Sequence, residues 1–154
     1  MKKDESLQSF NIILADDDND DRDFFKDALE SSLFKVSLEF AEDGRFLTEI
    51  LHRMKQLPDL IFLDLNMPHK SGGECLVEIR KTERLKNIPV IIYSTSSSLK
   101  DIDESYLNGA NLYVKKPSTF NELKEIITHV LKLDWNIYKP HSARQQFLYT
   151  SKMM

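Results

Sequence analysis

Five short apolar runs, each closed by polar residues and followed by a stretch of helical period, constrain this chain more than any other feature. Four of them, Asn11 to Ala15, Leu60 to Leu63, Val90 to Tyr93 and Leu112 to Val114, are almost continuously apolar with β-branched or aromatic content, as expected of parallel strands buried on both faces. The fifth, Val36 to Phe40, alternates Val36, Leu38 and Phe40 with Ser37 and Glu39 and predicts a strand nearer a sheet edge. Between the runs, apolar residues recur three and four positions apart: Phe24, Phe25, Ala28 and Leu29; Phe46, Leu47, Ile50, Leu51 and Met54; Leu76 and Ile79; Ile102, Tyr106 and Leu107; Leu123, Ile126, Ile127, Val130 and Leu131. Each set makes one apolar helix face. Five strands alternating with five helices predict an α/β domain, a doubly wound parallel sheet with helices on both faces. Thr119, with Glu122 three residues on and Pro117 just before, predicts a capped start to the last helix.

A chain of 154 residues with 41% hydrophobic content builds one core and leaves no room for a second catalytic or DNA-binding domain. The net charge of -4 argues against a nucleic-acid partner, because affinity for a phosphate backbone comes from displacing counterions with Lys and Arg. The single Cys75 cannot close an intramolecular disulfide, and the start, MKKDESLQSF, lacks the apolar segment of a secretion signal. No apolar run approaches the roughly 20 residues needed to span a bilayer. The expectation is a cytoplasmic protein with no membrane partner, laid out as an extension (1–9), one domain (10–133) and a tail (134–154) with no effector domain. The tail carries Trp135, Tyr138, Phe147 and Tyr149. It is expected either to dock or dimerise through these aromatics, or to fray as termini often do.

Ligands of open α/β sheets bind beyond the carboxyl ends of the strands. Here the first strand ends in Asp16, Asp17 and Asp18, the third in Asp64, the fourth in Ser94 and Thr95, and the fifth in Lys115, Lys116 and Pro117. Acids, hydroxyls and amines therefore converge on one rim. Carboxylates crowded together repel, and a hard divalent cation relieves that. Magnesium, which binds through a few carboxylates and phosphate oxygens, suits Asp16, Asp17 and Asp64. With charge neutralised by the cation and by Lys116, Asp64 has the makings of a nucleophile that holds a phosphoryl group as an acyl phosphate, with the Ser94 hydroxyl completing the cradle.

These pieces resemble the receiver domain of bacterial response regulators. The matching segments are Ile13-Leu14-Ala15-Asp16-Asp17-Asp18, Asp64-Leu65-Asn66-Met67-Pro68 with Gly72 four residues on, Pro89 to Ser94, and Gly109-Ala110 leading to Tyr113 and Lys116-Pro117. The resemblance covers residues 10 to about 133. It implies a flavodoxin-like strand order 2-1-3-4-5, Asp64 as phosphoacceptor, and Mg2+ or Mn2+ held by Asp16, Asp17, Asp64 and the Asn66 backbone carbonyl. It further implies Lys116 as phosphate contact, Ser94 as switch hydroxyl, Tyr113 as switch aromatic, and a cis Lys116–Pro117 bond. A chain of this kind is expected to be a stand-alone, chemotaxis-type switch rather than an enzyme. It would take its phosphate from a histidine kinase or phosphotransfer protein and signal to a protein target by reshaping the face of the fourth helix, fifth strand and fifth helix, with Tyr113 turning in as Ser94 moves. The same face, or the tail, is open to homodimerisation.

Other readings fit less well. Asp20, Asp21 and Asp23 read as a solvated helix start, where acids are favourable, and Asp18 as their neighbour. An EF-hand beginning at Asp16 would put Asp21 where that loop needs Gly and Asp27 where it needs Glu. The glycines form no G-x-G-x-x-G after the first strand, and His52, His69, His129 and His141 show no metal-ligand spacing. A phosphohydrolase working through an aspartyl phosphate would carry a second acid where this chain has Asn66. Retention of all the site positions argues against a scaffold that takes no phosphate.

Overall fold

The structure is a computed structural model that describes residues 9–149. Most of the expected extension, and the last five residues of the tail, therefore lie outside the described residues. Five parallel strands, β1 (Ser9–Ala15), β2 (Lys35–Ala41), β3 (Leu60–Leu63), β4 (Val90–Ser94) and β5 (Leu112–Lys115), form one sheet in the order β2-β1-β3-β4-β5. They alternate with α1 (Asn19–Glu30), α2 (Gly44–Arg53), α3 (Gly72–Lys81), α4 (Leu99–Leu107) and α5 (Phe120–Lys132). The alternating run forms edge strand β2, and the doubly wound, flavodoxin-like architecture is the one expected.

Side-chain alternation divides the core in two. Ile13, Ala15, Ile61, Leu63, Val90, Ile92 and Tyr113 face α2, α3 and α4, whereas Ile12, Leu14, Leu60, Phe62, Ile91, Tyr93, Leu112 and Val114 face α1 and α5. Each fully buried large apolar side chain contributes about 1.5–3 kcal/mol, so β1, β3 and β4, covered on both faces, form the rigid floor under the rim. Five helix starts are pinned by side-chain caps: Asp18 accepts from the N–H groups of Asp20 and Asp21, Asp43 from Phe46, Ser71 from Glu74, Ser98 from Asp101 and Thr119 from Glu122. Thr119 is thus the cap read from the sequence. Cys75 is the small buried hydrophobe expected, its thiol donating to Gly44 O.

The tail is not frayed where it is described. Beyond α5 the chain turns under the amino end of β5, where Asn111 Nδ2 donates to Tyr138 O at 2.8 Å. It then passes the end of α4 and rises beside β5, adding a one-turn helix, α6 (Arg144–Phe147), to the five expected. Leu148 pairs with Tyr113 in parallel, and Tyr149 N donates to Tyr113 O at 2.9 Å. Phe147 joins the α4-side core and Tyr149 the α5-side core, so the segment wraps the edge that β5 would otherwise expose. No helix among the described residues is long and apolar enough to cross a membrane.

Candidate functional site

The strand ladders run one residue past the ends of β1, β3 and β5, and that places the site. Asp16 N donates to Ala41 O at 3.0 Å, Asp64 N to Ala15 O at 2.9 Å and Lys116 N to Ser94 O at 2.8 Å. The backbone that carries each functional group is therefore held by the sheet. Gly72 keeps the loop after β3 closed: its N–H donates to Leu65 O at 3.0 Å, and a Cβ there would come within 2.1 Å of Asp64 O. Any larger residue would push the strand end carrying Asp64 out of place.

Asp16 is fully buried, Asp64 is 6% exposed and Asp17 is exposed, yet one carboxylate oxygen from each lies within 4.8 Å of the others. Asp16 Oδ1 accepts from Asp18 N at 3.0 Å and Asp64 Oδ1 from Asn66 N at 3.2 Å. Lys116 Nζ lies 2.8 Å from Asp16 Oδ2 and 3.1 Å from Asp64 Oδ2. The first contact is an ion pair without hydrogen-bond geometry, so the buried Asp16 Oδ2 accepts no hydrogen bond. Burial pushes the Asp16 carboxyl up to about 6, against the opposing pull of Lys116 and the Asp18 N–H. Burial works to lower the pKa of Lys116, but its close contacts with the carboxylates of Asp16 and Asp21 and the charge of Asp64 outweigh that and leave it raised. Beneath the ammonium, the Tyr93 ring lies 5.5 Å away and packs edge-on against Phe25 and Phe62.

One ammonium does not neutralise three carboxylates whose oxygens lie within 4.8 Å of one another, and like charges held this close repel unless a cation joins them. The donors are hard oxygens at close spacing, so the residues fit a divalent cation of the Mg2+ or Mn2+ kind.

Ser94 is fully buried at the end of β4, and its Oγ accepts from Ser96 N at 3.1 Å. Tyr113, on the neighbouring strand, is also fully buried, with its hydroxyl donating to Ser96 O at 2.8 Å. Both residues thus converge on Ser96. The expectation that Tyr113 turns in on activation needs correcting, because the ring is already inside, covered by Phe147 with centroids 6.2 Å apart. The expected cis Lys116–Pro117 bond is corrected as well: no cis peptide occurs among the described residues. Trans is the intrinsically favoured form of an X–Pro bond, and Lys116 reaches both acids from it.

Asp21 was missed by the sequence reading. It is not merely a solvated acid, since its Oδ2 accepts from Lys116 Nζ at 2.8 Å, a shorter contact than that of Asp64. The signal lay in the cap: Asp18 is the N-cap, and side chains in the first turn tilt back toward the helix N-terminus, here toward the rim. Asn66 is exposed and contributes its N–H to Asp64.

The sequence profile described as the response regulator receiver domain matches residues 12–128. The chain is 33% identical over 138 residues to the probable methanogenesis regulatory protein FilR2 of Methanothrix harundinacea, covering 86% of this chain and 89% of that one. It is 33% identical over 121 residues to the chemotaxis protein CheY of Pseudomonas aeruginosa, covering 79% and 95%. Response regulator Rcp1 of Synechocystis sp. is 32% identical over 129 residues, covering 80% and 88%. The crystal structure of the Mn(2+)-bound form of Rcp1 superposes with a TM-score of 0.75 at 30% identity, covering 81% of this chain and 96% of that one. Fold, rim and sequence agree, and the chain belongs to the response regulator receiver domain family of two-component signalling.

Proposed function

We propose that this receiver domain takes a phosphoryl group on Asp64 and signals through the surface of α4, β5 and α5. The observation that carries this reading is Asp64 itself, a nearly buried carboxylate 3.1 Å from a lysine and grouped with Asp16 and Asp17. A divalent cation held by Asp16, Asp17 and Asp64, with the Asn66 carbonyl, would neutralise charge on the incoming phosphoryl oxygens. An Asp64 oxygen forms the new P–O bond while the donor's bond to phosphorus breaks, its electron pair leaving with the donor. Lys116, already aimed at Asp64 Oδ2, contacts the transferred oxygens, and Ser94 supplies the hydroxyl. The chain is a switch and not a catalyst for a separate substrate.

The donor class is a histidine kinase or phosphotransfer protein, and the target is a protein. The free Cys75 thiol suits the reducing cytoplasm. The phosphoryl group adds about -1.5 to -2 charge and three strong acceptors beside Lys116 and Ser94. Because Ser94 and Tyr113 share Ser96, a pull on Ser94 reaches the Tyr113 hydroxyl and the start of α4. Intact mass after incubation with a small phosphodonor and magnesium tests the reading. Wild type should gain one phosphoryl group and Asp64→Asn none; equal labelling of the two would overturn it.

A further inference from the structure

The groove between α4 and β5 is filled by the chain's own residues 141–149, in the manner of a bound peptide. Arg144 pairs with Asp103 at 2.7 Å. Three residues on, Phe147 enters the core edge-on to Tyr106, with centroids 5.2 Å apart. The backbone then extends, and Leu148 and Tyr149 add a minimal strand to β5. Tyr106 Oη donates to Ser142 O, and His141 Nε2 contacts Leu107 O at 2.8 Å. A charge pair, an aromatic anchor in a pocket and strand addition at a sheet edge are the elements by which proteins recognise extended peptides.

The same contacts show a replaceable occupant. α6 is a single turn, and its N-cap, Ala143, makes no side-chain hydrogen bond. Gln146 Oε1 is buried without a partner, an uncompensated desolvation that a better ligand would avoid. The Arg144–Asp103 pair is solvent-exposed and so weakly held. We infer that the α4–β5 groove is a docking site for an extended peptide with a basic residue three positions before an aromatic, and that residues 141–149 occupy it in cis as a displaceable self-ligand. A protein target of this chemistry competes with the tail. This deepens the output surface proposed above, but it rests on contacts made without phosphate.

The test uses full-length protein with no phosphodonor, so its outcome is independent of whether Asp64 is the acceptor. A synthetic peptide of residues 141–149 is titrated into wild type, Phe147→Ala and the milder surface variant Arg144→Glu, and read by backbone amide shifts. A tethered segment has an effective concentration near millimolar, so the peptide should bind Phe147→Ala at least tenfold more tightly than wild type. Shifts should centre on Asp103, Tyr106 and Tyr113, Arg144→Glu should fall between, and a peptide carrying Phe147→Ala should not bind. Unchanged amides of β3 and β4 verify that each variant is folded; should Phe147→Ala not fold, the comparison of Arg144→Glu with wild type decides. No binding to either opened variant, equal binding to all, or a wild type that is dimeric through exchanged tails would overturn the inference.

Discussion

At the carboxyl rim, Asp16, Asp64 and Lys116 are nearly buried, in contact, and anchored by sheet hydrogen bonds. Along the outer edge of β5, residues 138–149 are for the most part exposed or half-buried and held by scattered polar contacts around two buried aromatics. The rim is rigid in position and frustrated in charge, whereas the edge is satisfied in packing and loose in attachment. Both regions meet at Ser96, which bonds Ser94 Oγ through its N–H and Tyr113 Oη through its C=O. In the proposed reading, a local change of charge at the rim is linked through Ser96 to the segment along β5, the general design of such switches.

If the rim is held by charge balance, Lys116→Met should have the largest effect on stability. It leaves Asp16 and Asp64 without their ammonium, and removing one partner of a buried pair costs about 3–5 kcal/mol. Chemical denaturation should show a loss of about that size, with magnesium recovering much of it. A variant as stable as wild type would mean the lysine does not hold the rim together.

Phe147→Ala probes the edge. Truncating a buried Phe costs about 3–5 kcal/mol in a core, but this segment can undock, so the loss is capped by its docking free energy. We expect about 2 kcal/mol, with faster amide exchange confined to 103–115 and 138–149. Global unfolding instead would show the tail to be part of the core.

Metal sharpens the contrast next. With magnesium at about 100 times its Kd, wild type gains about 2.7 kcal/mol, and a site tenfold weaker gains about 1.4 kcal/mol. Asp17→Asn should show the smaller gain and lose nothing without metal, because Asp17 is exposed. A metal-free variant melting well below wild type would assign the carboxylate a structural role.

Asp21→Asn should act in the other direction, on phosphate. It frees Lys116 from a competitor and removes a charge that opposes the phosphoryl group. One hydrogen bond is worth about 1 kcal/mol, so labelling of Asp64 by a small phosphodonor should speed up about fivefold; an unchanged or slower rate would show that Asp21 does not compete. The smallest effect is expected at His129, whose ring lies 5.2 Å from Tyr149 and whose Nε2 is buried without a partner. Burial lowers its pKa from 6.5, so its neutral form stabilises the fold fully above about pH 6.5 and that contribution fades as pH falls below. Tyr149 should loosen slightly in acid, and His129→Gln should remove the pH dependence.

Particular residues show what the sequence carried. The strands were legible because runs such as Leu60–Leu63 are buried on both faces and therefore apolar throughout, and the rim followed because strand ends in an α/β sheet share one edge. Strand order came from family resemblance, since periodicity says nothing of neighbours. Asp21 was hidden because an acid in the first turn of a helix is favourable there in any case. Residues 134–149 carry no periodic signal, as their structure comes from non-local contacts such as Asn111 with Tyr138 O and Tyr149 with Tyr113 O. Tyr113 was placed on the right strand but in the wrong starting position, because the segment that seals it inside was illegible.

The link between rim and edge is tested most directly by backbone amide shifts on phosphorylation, comparing wild type, Ser94→Ala and Asp64→Asn. The account predicts changes at 94–124 that extend into 141–149 in wild type, a weakened response beyond the rim in Ser94→Ala despite phosphorylation, and none in Asp64→Asn. Shifts in phosphorylated wild type confined to residues around Asp64, leaving Tyr113 and Phe147 unmoved, would contradict it.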